Sequence, residues 1–345
     1  MSPFTSTILI SSLATGTIIT ASSFHWMFAW LGLELNTLAV IPMITKQHHP
    51  RATEAATKYF LTQAAASAII LFSSTINAWQ TGTWDITQLS TPTSSILLTM
   101  ALAMKLGLAP GHFWLTEVMQ GTTTETAMII ATWQKLAPMA IIFMTMNNLS
   151  PTILLTMGML SAIIGGWGGL NQTQLRKMMA YSSIAHLGWM AAISTMMTNI
   201  LAINLIIYLL MTTAMFLMLI MTKSKTIQDL SLSWSMSPTI TSFTTLTLLS
   251  LGGLPPLTGF IPKWLIIEEL TLQSLTPTAT TLAMSALLSL YFYLRLTYTT
   301  TLTMSPNSAM TKHKWRFNMK ISPTIFSVPL SPALLLLPIT PLILM

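Results

Sequence analysis

Residues 93–113 read TSSILLTMALAMKLGLAPGHF, an apolar run that contains one lysine and is then interrupted by glycine and proline. Its length is close to the ~20 residues that a helix needs to cross the ~30 Å hydrocarbon core of a bilayer. Such an interruption breaks or kinks a helix, because proline removes a backbone hydrogen bond. The stretch therefore predicts a broken membrane-spanning helix with an ionisable side chain, Lys105, just before the break.

Apolar runs of similar length fill most of the chain, so we predict an all-α, polytopic membrane protein with about eleven transmembrane helices. Helices are expected because lipid leaves no backbone polar group without a partner, and the runs are too long for barrel strands. The longest polar stretch, residues 305–322, is predicted to be a loop. The predicted spans are 3–21, 24–44, 54–78, 93–113, 123–146, 151–170, 178–196, 199–221, 238–268, 275–298 and 323–343.

The composition excludes several classes of protein. Charged residues make up 7% of the chain, against about 25% in an ordinary soluble domain, and the mean hydropathy is +0.66. Soluble globular, disordered and nucleic-acid-binding proteins are therefore nearly excluded, and the net charge of +7 is too dispersed to form a nucleic-acid surface. The chain has no cysteine, which excludes disulfides, thiolate metal sites and iron–sulfur ligation.

The cations of the predicted loops lie almost entirely on the side of the N-terminus, and cations mark the side on which a membrane protein is synthesised. The 27 methionines and the frequent threonines are typical of proteins encoded in vertebrate mitochondria. We therefore expect the N-terminus in the matrix and the C-terminus in the intermembrane space. The first run lacks a preceding basic region and is interpreted as a span, not a presequence. The loop cations are Lys46, Arg51, Arg176, Lys177, Lys223, Lys225, Lys312, Lys314, Arg316 and Lys320.

A weak internal repeat links two of the predicted spans. Gly107-Leu-Ala-Pro110 in span four has a counterpart, Gly253-Leu-Pro-Pro256, in span nine. The two spans are five apart, so they enter the membrane from opposite sides, as in transporters built from inverted repeats. We predict two inverted five-helix repeats, in residues 1–146 and 147–298, followed by a basic loop and a final helix in residues 299–345. Simple packing kinks are the alternative explanation of the two breaks.

Four ionisable residues stand out deep inside predicted spans, where a charge costs ~2.5–3.5 kcal/mol on insertion scales and is usually functional. They are Glu34, Lys105, Lys135 and Lys263. Desolvation favours a neutral lysine and a nearby carboxylate favours a charged one, so a lysine balanced between the two could carry a proton. We expect Glu34 and Lys105 to form an ion pair and the three lysines to form a row at mid-membrane. A pair that only fixes helix register, and a Lys263 that reaches the interface, remain alternatives.

Two histidines of the predicted spans could connect the lysines through water, namely His112 after the first break and His186 in span seven. A packed, hydrogen-bonded histidine is the alternative at each position. Haem ligation would need two inward-facing histidines on each of two helices, which the intramembrane histidines do not supply. The glycine-rich run at 165–169 follows an apolar helix and not a strand, so it predicts no nucleotide-binding loop.

Six motifs, in order along the chain, resemble the family of vertebrate mitochondrial NADH dehydrogenase subunit 2 chains. The resemblance covers essentially the whole sequence, with the first and last ~20 residues matching least. The motifs are Trp30-Leu-Gly-Leu-Glu34, Thr53-Glu-Ala-Ala-Thr-Lys-Tyr-Phe60, Lys105-Leu-Gly-Leu-Ala-Pro110, Gly168-Gly-Leu-Asn-Gln-Thr-Gln-Leu-Arg-Lys177, Ala180-Tyr-Ser-Ser-Ile-Ala-His186 and Leu251-Gly-Gly-Leu-Pro-Pro-Leu-Thr-Gly-Phe260.

The resemblance implies an antiporter-like core subunit of the membrane arm of respiratory complex I, in the mitochondrial inner membrane. It implies a proton relay in which the family's key glutamate is Glu34 and its lysines are Lys105, Lys135 and Lys263. It also implies that NADH, FMN and iron–sulfur clusters are bound by other subunits, so this chain holds no cofactor. The expected partners are neighbouring antiporter-like subunits and the phospholipid membrane, and no nucleic acid.

Two other functions would use the same residues. A stand-alone cation/proton antiporter would need the same buried charges but would work without other subunits. A purely structural scaffold would need the helices but gains nothing evident from burying four charges.

Overall fold

The structure, a computed structural model, describes residues 2–47, 49–301 and 323–340. These residues form helices joined by short turns, and the described chain contains no β-strand, so the all-α prediction is confirmed. The helices are α1 (Pro3–Ser22), α2 (Trp26–Ile44), α3 (Pro50–Thr81), α4 (Pro92–Leu106), α5 (Phe113–Gly121), α6 (Thr124–Ala131), α7 (Trp133–Thr145), α8 (Pro151–Gly169), α9 (Leu175–Ile193), α10 (Thr198–Thr222), α11 (Ile227–Met236), α12 (Pro238–Gly252), α13 (Phe260–Leu272), α14 (Thr276–Thr301) and α15 (Pro323–Leu335).

Within the described residues, seven segments are long and apolar enough to cross a membrane. The chain is therefore a multi-pass membrane protein. The seven segments are Pro3–Ser22, Trp26–Ile44, Pro50–Thr81, Thr124–Asn148, Pro151–Gly169, Thr198–Thr222 and Thr276–Thr301. The loop predicted at 305–322, with its four cations, lies outside the described residues.

The chain divides into two compact units, one within residues 1–164 and 183–198 and the other within residues 165–182 and 199–345. In the first unit, α2 packs against α1, α3 and α7, and α3 packs against α4 and α5. Gly16 and Gly32 let α1 and α2 approach closely, since a methyl group on Gly32 would lie 2.7 Å from the Gly16 carbonyl. In the second unit, α14 packs against α11, α12 and α13, and α12 also contacts α15.

Two segments that lie between predicted spans contain helices. Residues 114–122 fall almost wholly in α5, which begins as soon as the chain has turned after the first break. Residues 222–237 contain α11, whose first turn is closed by a capping box: the Thr226 hydroxyl accepts from the Asp229 N–H, and the Asp229 carboxylate accepts from the Thr226 N–H. Partial burial raises the pKa of Asp229, but bonds from the Thr226 and Lys225 N–H groups outweigh it, so its pKa is lowered.

The predicted span 123–146 is not one continuous helix. Thr132, with φ −112° and ψ −71°, separates α6 from α7, and its hydroxyl donates to the Met128 carbonyl at 2.7 Å. Such a local side-chain bond offers the backbone an alternative to helical continuation. The consequence is that Lys135 lies in the first turn of α7 and not in the middle of a long helix.

Candidate functional site

The first break in the chain exposes a helix end. α4 ends at Leu106, and Gly107 has φ +80°, a left-handed conformation that favours glycine. The Gly107 N–H donates to the carbonyls of Ala103 and Met104, at 2.9 and 3.2 Å. The Leu106 carbonyl remains available at the end of α4, where the helix dipole places a partial negative charge.

Lys135 occupies this helix end. Its side chain is 1% exposed, and its Nζ donates to the Leu106 carbonyl at 2.5 Å. The ammonium also lies 5.4 Å from the ring centroid of Trp114, within the range of a cation–π interaction. Trp114 is itself fixed, because its indole N–H donates to the Met104 carbonyl at 3.1 Å. A backbone dipole and an aromatic face therefore hold this cation.

Lys105 is buried differently. It is 4% exposed, and its Nζ has no hydrogen-bond partner among the described residues. The predicted Glu34–Lys105 ion pair is therefore wrong as a direct contact. Glu34 accepts a hydrogen bond from the Thr37 hydroxyl at 3.0 Å, one turn further along α2, so a local donor engages the carboxylate.

A small cavity lies beside Lys105 in the first unit. It has about 10 Å³ of room for water-sized molecules, which is about the room of one water. Part of its wall is fixed by hydrogen bonds, from the Tyr59 hydroxyl to Gln134 Oε1 at 3.3 Å and from Gln134 Nε2 to the Asn36 carbonyl at 3.4 Å. The cavity is lined by Leu33, Asn36, Thr37, Tyr59, Gln63, Lys105, Trp114, Gln134, Ala137 and Pro138.

The second break repeats the geometry of the first. α12 ends at Gly252, Gly253 has φ +78°, and α13 begins at Phe260. Lys263, in the first turn of α13, is 9% exposed, and its Nζ donates to the Gly252 carbonyl at 2.8 Å. Its ammonium is thus bound inside the second unit and does not extend to a surface. At each break, a buried lysine binds the last carbonyl before a glycine with positive φ.

The histidines occupy different surroundings. His112 is 4% exposed and precedes α5, with its ring packed on Phe113 at 4.3 Å between centroids. Its Nδ1 is buried and has no hydrogen-bond partner among the described residues. His186 is also buried, in α9. His112 therefore lies between α4 and α5, close in sequence to the first break, whereas His186 lies in a different helix, α9.

Other charged residues of the first unit form exposed pairs. Lys58 binds Glu54 of its own helix and Glu117 of α5, both at 2.5 Å, and so links α3 to α5. Lys46 lies 3.9 Å from Glu125. The acidic partners Glu117 and Glu125 are exposed, and pairs of this kind contribute little stability, typically about 0–1 kcal/mol.

Several residues of the site are not among those predicted from the sequence. The Trp114 ring faces Lys135 and contacts the Tyr59 ring, and Asn36 and Gln134 line the cavity beside Lys105. Polar residues inside apolar runs were the available signal, since Asn36 stands two positions after Glu34 and Gln134 stands directly before Lys135. Across the described residues, no group of three or more His, Asp and Glu side chains could hold a metal ion.

Two family models match the chain. The NADH:quinone oxidoreductase/Mrp antiporter transmembrane family matches residues 23–289, and the NADH dehydrogenase subunit 2 C-terminus family matches residues 290–344. NADH-ubiquinone oxidoreductase chain 2 of Xenopus laevis is 56% identical over 328 residues, 95% of each chain. The same chain of Polypterus ornatipinnis is 56% identical over 322 residues, 93% of each chain.

Two solved structures have a fold similar to that of this chain. A chain of respiratory complex I from Thermus thermophilus, with bound aureothin, aligns with a TM-score of 0.81 and 27% identity, covering 98% of this chain and 80% of that one. A chain of the Mrp complex from Dietzia sp. aligns with a TM-score of 0.80 and 18% identity, covering 88% of this chain and 62% of that one. The second likeness concerns the fold alone.

Proposed function

The chain belongs to the NADH-ubiquinone oxidoreductase chain 2 family, and from that premise we propose that its buried lysines, with Glu34, relay protons at mid-membrane. As a member of this family it is an antiporter-like membrane-arm subunit of respiratory complex I, beside other membrane-arm subunits. It contributes to a proton-translocating NADH:ubiquinone oxidoreductase. The relay is the part that we assign to particular side chains.

The observation that supports the relay is the way in which the three ammonium groups are held. Lys135 and Lys263 each bind one backbone carbonyl, and Lys105 has no hydrogen-bond partner among the described residues. Neither contact is a full counter-charge, so burial leaves the charged form costly. A modest movement of a helix end or of Glu34 changes the free energy of the charged form of a lysine. A change of ~1.36 kcal/mol alters the ratio of charged to neutral lysine tenfold.

The proposed sequence of events begins at Glu34. When Glu34 moves towards Lys105, the ammonium of Lys105 is stabilised. When Glu34 moves away, Lys105 releases its proton towards Lys135, whose charged form the end of α4 stabilises. The proton then passes by way of water towards Lys263, with His112 and His186 as further carriers in this proposal. The redox reaction in other subunits drives the movement.

We propose the finer architecture on the same basis: about eleven transmembrane helices, with inverted five-helix repeats in residues 1–146 and 147–298, and a basic loop and a final helix in residues 299–345. The matching breaks support this arrangement. Each has a helix that ends at a left-handed glycine, Gly107 or Gly253, and a new helix that starts at a phenylalanine, Phe113 or Phe260. Broken helices in corresponding positions are typical of inverted-repeat transporters.

The location and the cofactors follow from the family and the composition. We propose that the chain lies in the mitochondrial inner membrane, with its N-terminus in the matrix and its C-terminus in the intermembrane space. The vertebrate relatives, the methionine-rich composition and the one-sided loop cations support this. We further propose that NADH, FMN and iron–sulfur clusters are bound by other subunits of the complex.

Substitution of Glu34 tests the proposed function. In assembled complex reconstituted into sealed vesicles, Glu34→Gln should lower the number of protons translocated per electron, because the neutral amide no longer modulates the charge on Lys105. The matched control is Glu125→Gln, which removes an exposed carboxylate from a pair at 3.9 Å and should leave the ratio unchanged. An unchanged ratio in Glu34→Gln would exclude this role for Glu34.

Sealed vesicles also distinguish the proposed relay from a stand-alone antiporter. A stand-alone antiporter would exchange cations for protons when the purified subunit alone is placed under a pH gradient. A member of the relay that is driven by redox chemistry should show proton transfer only within the assembled complex.

A further inference from the structure

The first turn of α7, in which Lys135 lies, is weakly held by its own backbone. It starts directly after Thr132, where the helix is interrupted, and the Thr132 side chain makes no hydrogen bond that caps α7. Pro138, inside the same helix, has no N–H to donate to the carbonyl of Gln134, four residues earlier. We therefore expect contacts with neighbouring helices to set the position of this turn.

The side chain of Gln134 supplies two such contacts. Its Oε1 accepts from the Tyr59 hydroxyl of α3 at 3.3 Å, and its Nε2 donates to the Asn36 backbone carbonyl of α2 at 3.4 Å. The next residue, Lys135, donates to the Leu106 carbonyl at the end of α4. Three helices thus hold one turn, and a single amide, which carries both a donor and an acceptor, serves two of them.

The donor from α3 is itself fixed in place. Tyr59 is 1% exposed, and its ring meets the Trp114 ring edge-on at 5.8 Å between centroids. The Trp114 ring in turn lies 5.4 Å from the Lys135 ammonium. Gln134 is therefore bound to a side chain that packs on the aromatic wall of the Lys135 site.

We propose that Gln134 is a positioning residue that keeps the Lys135 ammonium at the end of α4. This inference rests on the proposed function of Lys135 as a proton carrier. While α2 and α3 bind the amide, the first turn of α7 is fixed and the ammonium reaches the Leu106 carbonyl. Without the amide, neither a side-chain cap nor a backbone bond from Pro138 holds the turn, and the ammonium moves away from the helix end.

Structures of the assembled complex test the geometry independently of pumping. We would compare the wild type with Gln134→Met, because methionine is similar in length but has no donor and only a weakly accepting sulfur. The proposal predicts that the distance from Lys135 Nζ to the Leu106 carbonyl oxygen grows beyond about 3.5 Å in the variant, which ends the hydrogen bond. An unchanged distance would overturn the proposal.

The proton-to-electron ratio of assembled complex tests the consequence for pumping. Gln134→Met should lower the ratio, but by less than Lys135→Met, because the ammonium is still present. Tyr59→Phe removes one of the two bonds to the amide and should lower the ratio less than Gln134→Met does. When the two changes are combined, the ratio should equal that of Gln134→Met alone, since the partner of Tyr59 is already absent. Additive losses would contradict the positioning role.

Restoring the missing backbone bond distinguishes positioning from proton transfer by Gln134 itself. Pro138→Ala provides an N–H for the Gln134 carbonyl, so its addition to Gln134→Met should recover part of the ratio. No recovery would contradict the positioning role. The matched control is Gln172→Met, which removes another half-buried amide, one that donates to the Gly168 carbonyl at 3.2 Å, and should keep the wild-type ratio. Native electrophoresis confirms that each variant assembles.

Failure of this inference differs from failure of the relay. If Lys135→Met lowers the ratio and Gln134→Met does not, the positioning role of Gln134 is wrong and the relay stands. If Lys135→Met itself leaves the ratio unchanged, the relay role of Lys135 is wrong. The structure of Gln134→Met then still decides whether Gln134 keeps the ammonium at the end of α4.

Discussion

Replacing Lys135 by methionine should lower the proton-to-electron ratio of assembled complex more than any other single substitution in the first unit. The change removes the ammonium that binds the Leu106 carbonyl at 2.5 Å and faces the Trp114 ring at 5.4 Å. Methionine is of similar length and apolar, so it fills the site, and the loss of the carbonyl's partner costs about 1–3 kcal/mol. Assembly should therefore survive while proton transfer fails.

Two further variants show whether Lys135 acts by titrating. Lys135→Arg keeps a permanent charge at the end of α4 but cannot release a proton at physiological pH. Its proton-to-electron ratio should resemble that of Lys135→Met, whereas the stability of the complex should resemble that of the wild type. Lys46→Met is the control for loss of a lysine at an exposed pair, and should behave as wild type. A normal ratio in Lys135→Arg would contradict the titrating role.

Replacing Gly253 by alanine should strongly disturb the second break, although the substitution adds only one methyl group. Gly253 has φ +78°, where a side chain costs about 1–2 kcal/mol, and its added methyl group would lie 2.8 Å from Lys263 Nζ. The methyl group would displace the ammonium from the Gly252 carbonyl. We expect a lower melting temperature of the solubilised complex and a lower proton-to-electron ratio.

Gly82→Ala separates the two contributions to that effect. Gly82 has φ +74°, but nothing lies within 4 Å of a methyl group placed there, so this variant suffers only the backbone strain. The difference between the two variants measures the contact with Lys263. If both variants lose the same stability and both keep a normal ratio, the Lys263–Gly252 contact has no part in proton transfer.

The breaks themselves could be predicted because their signals are local. Glycine followed by proline within a long apolar run, next to a lysine, led directly to the interruptions after Leu106 and Gly252. The helix α11 could also have been predicted, since Thr226 and Asp229 have the spacing of a capping box. These residues lie between two predicted spans and were not given a helix of their own.

The partners of the lysines could not be predicted from the sequence. Carboxylates are the obvious partners of buried ammonium groups, so the sequence predicts that Glu34 pairs with Lys105. The structure instead gives Lys135 and Lys263 backbone carbonyls, and every residue has one, so no residue type marks them. Which carbonyl is free depends on where a helix ends and on which neighbouring helix packs there. The bend at Thr132, which places Lys135 at that point, has no strong sequence signal either.

The most direct test of the central claim is the proton-to-electron ratio of complex in which Glu34→Gln, Lys105→Met and Lys135→Met are combined. The complex would be purified, shown by native electrophoresis to be assembled, and placed in sealed vesicles with NADH and a quinone. The relay predicts continued NADH oxidation with fewer protons translocated per electron than in wild type. Poor assembly combined with a wild-type ratio in the complex that does assemble would contradict the relay and indicate a structural scaffold.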